Sequence, residues 1–199
     1  MALRLGPIRI PWPGKHSRDE DPYWDFFINT PPTDLANTVT DLIRNAPAGN
    51  VFPTKGDIHT PEITSAHVKE VARYFGADLV GIANLNSAGA AERKSEAAVG
   101  FPFAVICAVR AEYDPRRAPG IGGQVPVQNG LFITFVLSAW IRELGFRATA
   151  IEKADAEALA AQAGLGKFNT EGRLVSGKFG TQVHVAPVIY TDLPLAADG

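Results

Sequence analysis

Lys167, Asn169, Glu171 and Arg173 follow one another closely behind an alanine-rich segment. Lys167 or Arg173 can stabilise an anion that develops during a reaction, and Glu171 can transfer a proton. A solvated loop carries the same charges, so both readings stand at this point. Glycine recurs around these residues at 164, 166, 172, 177 and 180, so the backbone turns repeatedly and can approach a flat or bulky group closely. The segment before them, Ala154 to Ala163, is free of breakers, which predicts a helix that Gly164 ends in a left-handed cap. The segment after them, Gln182 to Tyr190, is rich in β-branched residues and closes on Thr191-Asp192-Leu193-Pro194, which predicts a strand and a turn. Helix, glycine-rich turn and strand in that order can shape a ligand site.

Other chemically capable residues are more dispersed. Tyr113-Asp114 ends a predicted strand, and an aspartate before Pro115 reads first as a turn former. Arg116-Arg117 can meet a carboxylate or phosphate, although a solvated surface pair is the commoner arrangement. His184 sits inside the predicted strand, where a neutral, locally hydrogen-bonded histidine is the usual case. His16, His59 and His67 have no zinc-ligand spacing, so no metal site is expected. Cys107, the one cysteine of the chain, lies in the apolar run Phe103 to Val109 and reads as a small buried hydrophobe. Alone it forms neither an internal disulfide nor an iron–sulfur cluster.

The chain of 199 residues is 46% hydrophobic, enough for one substantial core. Its 19 basic and 21 acidic residues give no positive field to hold nucleic acid. The start, Met1 to Pro7, has no sustained apolar core, twin arginine or small-residue cleavage site, so a cytoplasmic location is the expectation. The apolar stretch Leu131 to Ile141 is interrupted by Thr134 and Ser138 and is too short to span a bilayer, so no membrane partner is expected.

Two parts follow from the organisation. Residues 1–60 carry prolines at 7, 11, 13, 22, 31, 32, 47 and 53, which break long helices and central strands and make this part an irregular arm. Thr33-Asp34 can cap a short helix through Ala46, and the aromatics Trp12, Tyr23, Trp24, Phe26 and Phe27 can pack on the arm's own core or exchange with a second subunit. Residues 61–199 form the domain. Thr64-Ser65 opens a helix that Gly76 ends, followed by a strand over Leu79 to Ala83, a short helix over Ala90 to Ala98 and a strand over Phe101 to Tyr113. A glycine- and proline-rich loop over Asp114 to Asn129 reads as a lid or binding loop. A helix over Gln128 to Leu144, apolar nearly all round, reads as the central buried helix, and Arg147 to Ile151 makes a short strand.

The element Ala163-Gly164-Leu165-Gly166, the glycine-containing loop and the strand ending Thr191-Asp192-Leu193-Pro194-Leu195 resemble the corrinoid-binding region of reductive dehalogenases and epoxyqueuosine reductases. Upstream, Val71 to Ile82, Ala104 to Ala108 and Ile141 to Ala148 follow the same order, so the resemblance covers residues 60 to 195. It implies an α+β, nitroreductase-like fold with a mixed sheet flanked by helices, and cobalamin as the cofactor. It implies cofactor contacts from Gly164, Leu165, Gly166, Ser176, Gly177, Phe179, Gly180 and Thr181, and leaves Lys167, Glu171 and Arg173 as catalytic candidates.

The sequence also departs from those families. They continue into cysteine-rich motifs that hold iron–sulfur clusters, whereas this chain ends at Gly199 with a single cysteine, so electrons would come from a separate protein. Dehalogenases place a basic residue soon after the first element, where Phe168-Asn169-Thr170-Glu171 stands, and a tyrosine near the start of the central helix, where Gln128-Asn129-Gly130 stands. The aspartate motif of epoxyqueuosine reductases has no counterpart, so carbon–halogen reduction by that route is not supported. The resemblance therefore implies a corrinoid-binding oxidoreductase, or a subunit of a reductive-dehalogenase-like enzyme, acting on a small organic substrate. A non-catalytic partner subunit, a cobalamin carrier and a flavin-dependent nitroreductase-like enzyme are the alternatives, and homodimer and heteromeric subunit both remain open.

Overall fold

The apolar run around Cys107 alternates with the two-residue period of a strand, and both of its faces are apolar, so it must be central to a sheet covered on both sides. The computed structural model has this form. It describes the backbone of residues 3–5 and 8–10, and residues 27–31, 38–86, 99–152 and 155–198 in full. Strands β1 (Leu3–Leu5) and β2 (Ile8–Ile10) form a separate antiparallel pair. Helices α1 (Val39–Arg44) and α2 (Pro61–Tyr74) precede strands β3 (Leu79–Asn84) and β4 (Phe103–Arg110). Helix α3 (Ile121–Glu143), strand β5 (Ala148–Ile151) and helix α4 (Ala156–Gln162) follow. The chain finishes with the short strands β6 (Lys167–Phe168), β7 (Leu174–Val175), β8 (Val183–Val185) and β9 (Val188–Thr191).

The main sheet runs β3-β4-β9-β5, with β8 pairing on β4 beside β9. Every pairing among the described strands is antiparallel. The α+β class thus holds, while the parallel component of the expected mixed sheet does not occur among the described residues. The single strand expected over Gln182 to Tyr190 is divided at Ala186-Pro187. Val185 pairs with Ala108 and Ile189 with Val105, so one strand spends a residue more than the other between these pairs. Pro187 lacks an N–H to donate, and the extra residue forms a bulge there.

The two faces of β4 bury different partners. Val105, Cys107 and Val109 meet Val68 and Ala72 of α2 and Ile133, Leu137 and Ile141 of α3. Ala104 and Ile106 meet Leu159, Ala160 and Ala163 around α4 and Leu174 of β7. Full burial of a side chain such as Ile141 contributes about 1.5–3 kcal/mol. On the α4 side Gly81 makes the approach possible: a Cβ there would stand 2.8 Å from the Cβ of Ala163.

Several boundaries differ from the expectations, each for a local reason. Helix α2 starts at Pro61, not at Thr64-Ser65, because Thr60 accepts from the Ile63 amide and Pro61 has its φ preset for a first turn. The Thr64 and Ser65 hydroxyls are turned inward and donate to the carbonyls of His59 and Ala196. Helix α1 is capped by Thr38, which accepts from the Asp41 amide at 3.2 Å; Thr33-Asp34 and the helix expected over Ala90 to Ala98 lie outside the described residues.

The β4 strand stops at Arg110, and helix α3 takes in much of the expected loop, beginning at Ile121 and carrying Pro126 inside it. Close packing holds this first part: a Cβ at Gly122 would meet the Phe27 and Tyr113 rings, one at Gly123 would overlap the Ala118 carbonyl, and the Gly120 amide donates to Ile28 O at 2.7 Å. Phe27 therefore packs on the domain; Trp12, Tyr23, Trp24 and Phe26 lie outside the described residues. At 23 residues α3 is long and apolar enough, by length and composition, to cross a membrane. Here it covers the sheet with one face, while Ile121, Val125 and Phe132 stay exposed, so it is less enveloped than the sequence implied.

Candidate functional site

Helix α4 opens where Asp155 accepts from the Ala158 amide at 3.2 Å and closes at Gly164, whose φ of +73° is the left-handed turn read from the sequence. Leu165 then folds back, donating to Ala160 O at 2.9 Å and packing on the α4 side of the core. Gly166 must be small because a Cβ would stand 2.5 Å from the Val175 carbonyl oxygen, where β6 meets β7. The β6–β7 hairpin is closed by Asn169, whose Oδ1 accepts from the amides of Glu171 at 3.0 Å and Arg173 at 2.8 Å. Leu165 and Gly166 thus shape the hairpin from within, and the exposed Gly164 turns the chain into it.

A second tight loop follows at once. Ser176 and Gly180 exchange two backbone hydrogen bonds of 2.9 Å, and the Ser176 hydroxyl accepts from the Phe179 amide at 2.9 Å. These bonds leave the amides of Gly177, Lys178 and Thr181 without a partner among the described residues. A Cβ built on Gly172, Gly177 or Gly180 meets nothing within 4 Å. The loop therefore turns bare backbone and free donors toward open space.

Strand β8, which follows this loop in the chain, lines a groove of about 410 Å³ together with Asp114, Arg116, Asp155, Phe168 and Gly172. Asp114 is gripped by two arginines. It accepts from the Arg116 amide and Nε at 3.1 Å each, and Arg173 Nη2 lies 3.1 Å from its other oxygen. Burial opposes charge on Asp114, but the Arg116 hydrogen bonds and the charges of Arg116 and Arg173 outweigh it and hold its carboxyl below the usual range. Burial, reinforced by the charge of Arg116 and opposed by Glu152 and Asp114, pushes the pKa of His184 down, so its imidazole is neutral at pH 7. Cys107 is buried in β4, which pushes its thiol up to about 12 and makes it inert. Among the described residues no cluster of metal-ligating side chains occurs.

The three catalytic candidates are not gathered in one place. Arg173 reaches the groove through Asp114. Glu171 is exposed in the turn of the hairpin. Lys167 neighbours Phe168, which lines the groove, so on a strand its side chain leaves from the opposite side. The combination of Asp114, Arg116 and His184 was not visible as a unit in the sequence. Each was legible singly, as turn former, surface cation and strand histidine, and their separation along the chain gives no motif.

The sheet with helices on both faces built here matches part of the reductive dehalogenase fold, and epoxyqueuosine reductases match it more distantly. A reductive dehalogenase whose structure suggests a mechanism for B12-dependent dehalogenation superposes with a TM-score of 0.64 at 23% identity, over 80% of this chain and 24% of its own. The catabolic reductive dehalogenase NpRdhA gives 0.64 at 22% identity, over 80% of this chain and 26% of its own. An epoxyqueuosine reductase from Streptococcus thermophilus gives 0.52 at 15% identity, over 67% of this chain and 47% of its own. This chain thus spans about a quarter of the length of the dehalogenases and under half that of the epoxyqueuosine reductase. No protein-family model matches the sequence, and no curated protein matches it. At these identities the likeness is one of fold, and it agrees with the resemblance carried by the 163–166 and 191–195 elements.

Proposed function

We propose that this chain is a corrinoid-binding domain on a nitroreductase-like fold, serving an oxidoreductase that acts on a small organic substrate. The observation that carries this reading is the 176–181 loop, with unpartnered amides and open glycine positions, leading directly into the strand that lines a polar groove. A corrinoid needs backbone donors for its peripheral amides and small residues under a flat ring; the free amides of Gly177 and Thr181 supply the first, Gly177 and Gly180 supply the second, and Ser176 and Phe179 hold the loop in shape. The loop would hold such a ring, and β8 leads from the loop to His184 in the groove. Gly164, Leu165 and Gly166 hold the hairpin that presents the loop.

A bound corrinoid supplies a redox-active cobalt, and the protein supplies orientation and electrostatics. Arg116 and Arg173 keep Asp114 ionised at the groove wall, and their remaining donors can orient an anionic or strongly polar substrate group. His184, neutral and lining the same wall, can accept a proton there. Glu171 lies exposed in the hairpin turn, and Lys167 serves the side away from the groove, where a partner protein can dock. These residues carry one cysteine, buried in β4, so electrons reach the corrinoid from outside residues 1–199.

Anaerobic titration with hydroxocobalamin, followed by its visible absorption, tests the reading. Saturable, stoichiometric uptake is expected. Absence of saturation at cofactor concentrations well above that of the protein would contradict it.

A further inference from the structure

On the α3 side of the sheet a second cavity of about 250 Å³ opens between α1, α3 and β5, and it shares no lining residue with the groove. Its wall carries Arg142, which sits in the last turn of α3 and is only 5% exposed. Nη1 of Arg142 donates to the Ala148 carbonyl at 2.9 Å, whereas Nε is buried without a hydrogen-bond partner among the described residues. No described carboxylate pairs with it. A buried charge left unpaired is costly, and burial alone pulls the pKa of this guanidinium down from its usual value. The other cation at the cavity, Arg44, is already neutralised by Glu152 in an ion pair. The cavity therefore holds one net positive charge with nothing to answer it.

The remaining walls narrow the class of ligand. Ile43, Leu131 and Phe135 are apolar. Thr134 and Ser138 are buried, and their hydroxyls donate to the helix carbonyls Gly130 O at 3.0 Å and Phe135 O at 2.9 Å, which leaves oxygen lone pairs facing a ligand rather than further donors for an anion. A multiply charged anion would leave excess negative charge beside a single unpaired cation, and a neutral molecule would leave Arg142 unanswered. We propose that this cavity binds a small monocarboxylate, with the carboxylate on the Arg142 guanidinium and an apolar body against Leu131, Phe135 and Ile43. The site is independent of the corrinoid reading and stands or falls without it.

Benzoate titrated calorimetrically into the full chain, with no cobalamin present, tests the proposal against benzyl alcohol and inorganic phosphate. Saturable one-to-one benzoate binding is expected, about tenfold or more tighter than either comparison compound. Ala150→Phe, at an exposed strand position that lines the cavity, occupies the space while keeping the Arg142 side chain and should weaken benzoate about tenfold or more. Arg142→Met should abolish benzoate binding while leaving the thermal midpoint unlowered, since it removes an unpaired buried charge; should that variant fail to fold, Ala150→Phe decides. Benzoate binding no tighter than that of benzyl alcohol or phosphate, or benzoate binding unchanged in Ala150→Phe, overturns the proposal.

Discussion

In α3, Gly122, Gly123 and Gly130 stand where a side chain has no room: a Cβ would press on the Phe27 and Tyr113 rings, overlap the Ala118 carbonyl, or meet the Cβ of Ala186 at 3.0 Å. In the loop from Gly172 to Gly180 the same residue type faces nothing within 4 Å. The first group is glycine because backbone segments cross closely; the second leaves the space beside the backbone free. One is a packing device and the other, on the reading proposed above, a surface for contact, and the two respond oppositely to the same substitution.

The scale of the packed side is set by Ile141, which is fully buried between α3 and the sheet. Ile141→Ala should cost about 2–5 kcal/mol in urea unfolding; a loss under about 1 kcal/mol would mean that α3 does not seat on β4. Gly123→Ala comes next, at about 1–3 kcal/mol, because the Ala118 carbonyl is backbone and yields little. An unchanged midpoint would show that the first turns of α3 are not packed as described.

The groove side is tested by pH. His184 resists protonation in the folded chain, while the unfolded chain takes the proton at its ordinary pKa of 6.5. As pH falls through that value the unfolded state binds more protons, so stability drops on acidification. Urea midpoints at neutral and mildly acidic pH should differ in the wild type and differ less in His184→Gln; an equal acid loss in both would place the effect elsewhere. The smallest effect belongs to the open loop. Gly177→Ala should change stability by no more than about 0.5 kcal/mol, whereas Gly180→Ala, at a φ of +56°, should cost more through backbone strain alone.

This contrast also marks how far the sequence could be read. The buried strand around Cys107, the left-handed end of α4 at Gly164 and the central helix were legible because each rests on local periodicity or a single capping residue. The start of α3 was not. Gly120 to Pro126 carries every local sign of a loop, and it is helical because Phe27, Ile28 and Ala118 close around it, which is tertiary packing overriding propensity. Likewise, β-branched residues predicted one strand over 182–190, and only the register against β4 exposes the bulge at Pro187. Around the groove and loop, the glycines were legible as turning points, but not which of them were crowded: a Cβ at Gly166 would press on the Val175 carbonyl while Gly177 is open. The meeting of Asp114, Arg116 and His184, and the unanswered charge of Arg142, arise from chain segments far apart and leave no trace in spacing.

The central claim is that the open loop is a cofactor-facing surface, and Gly177 tests it most directly because it combines free space with an ordinary backbone conformation. Hydroxocobalamin uptake should be measured for the wild type, Gly177→Ala and Gly177→Phe, with urea midpoints for each. The account predicts stoichiometric uptake by the first two and none by Gly177→Phe at a nearly unchanged midpoint. Uptake by Gly177→Phe equal to that of the wild type, or none by the wild type, would contradict it.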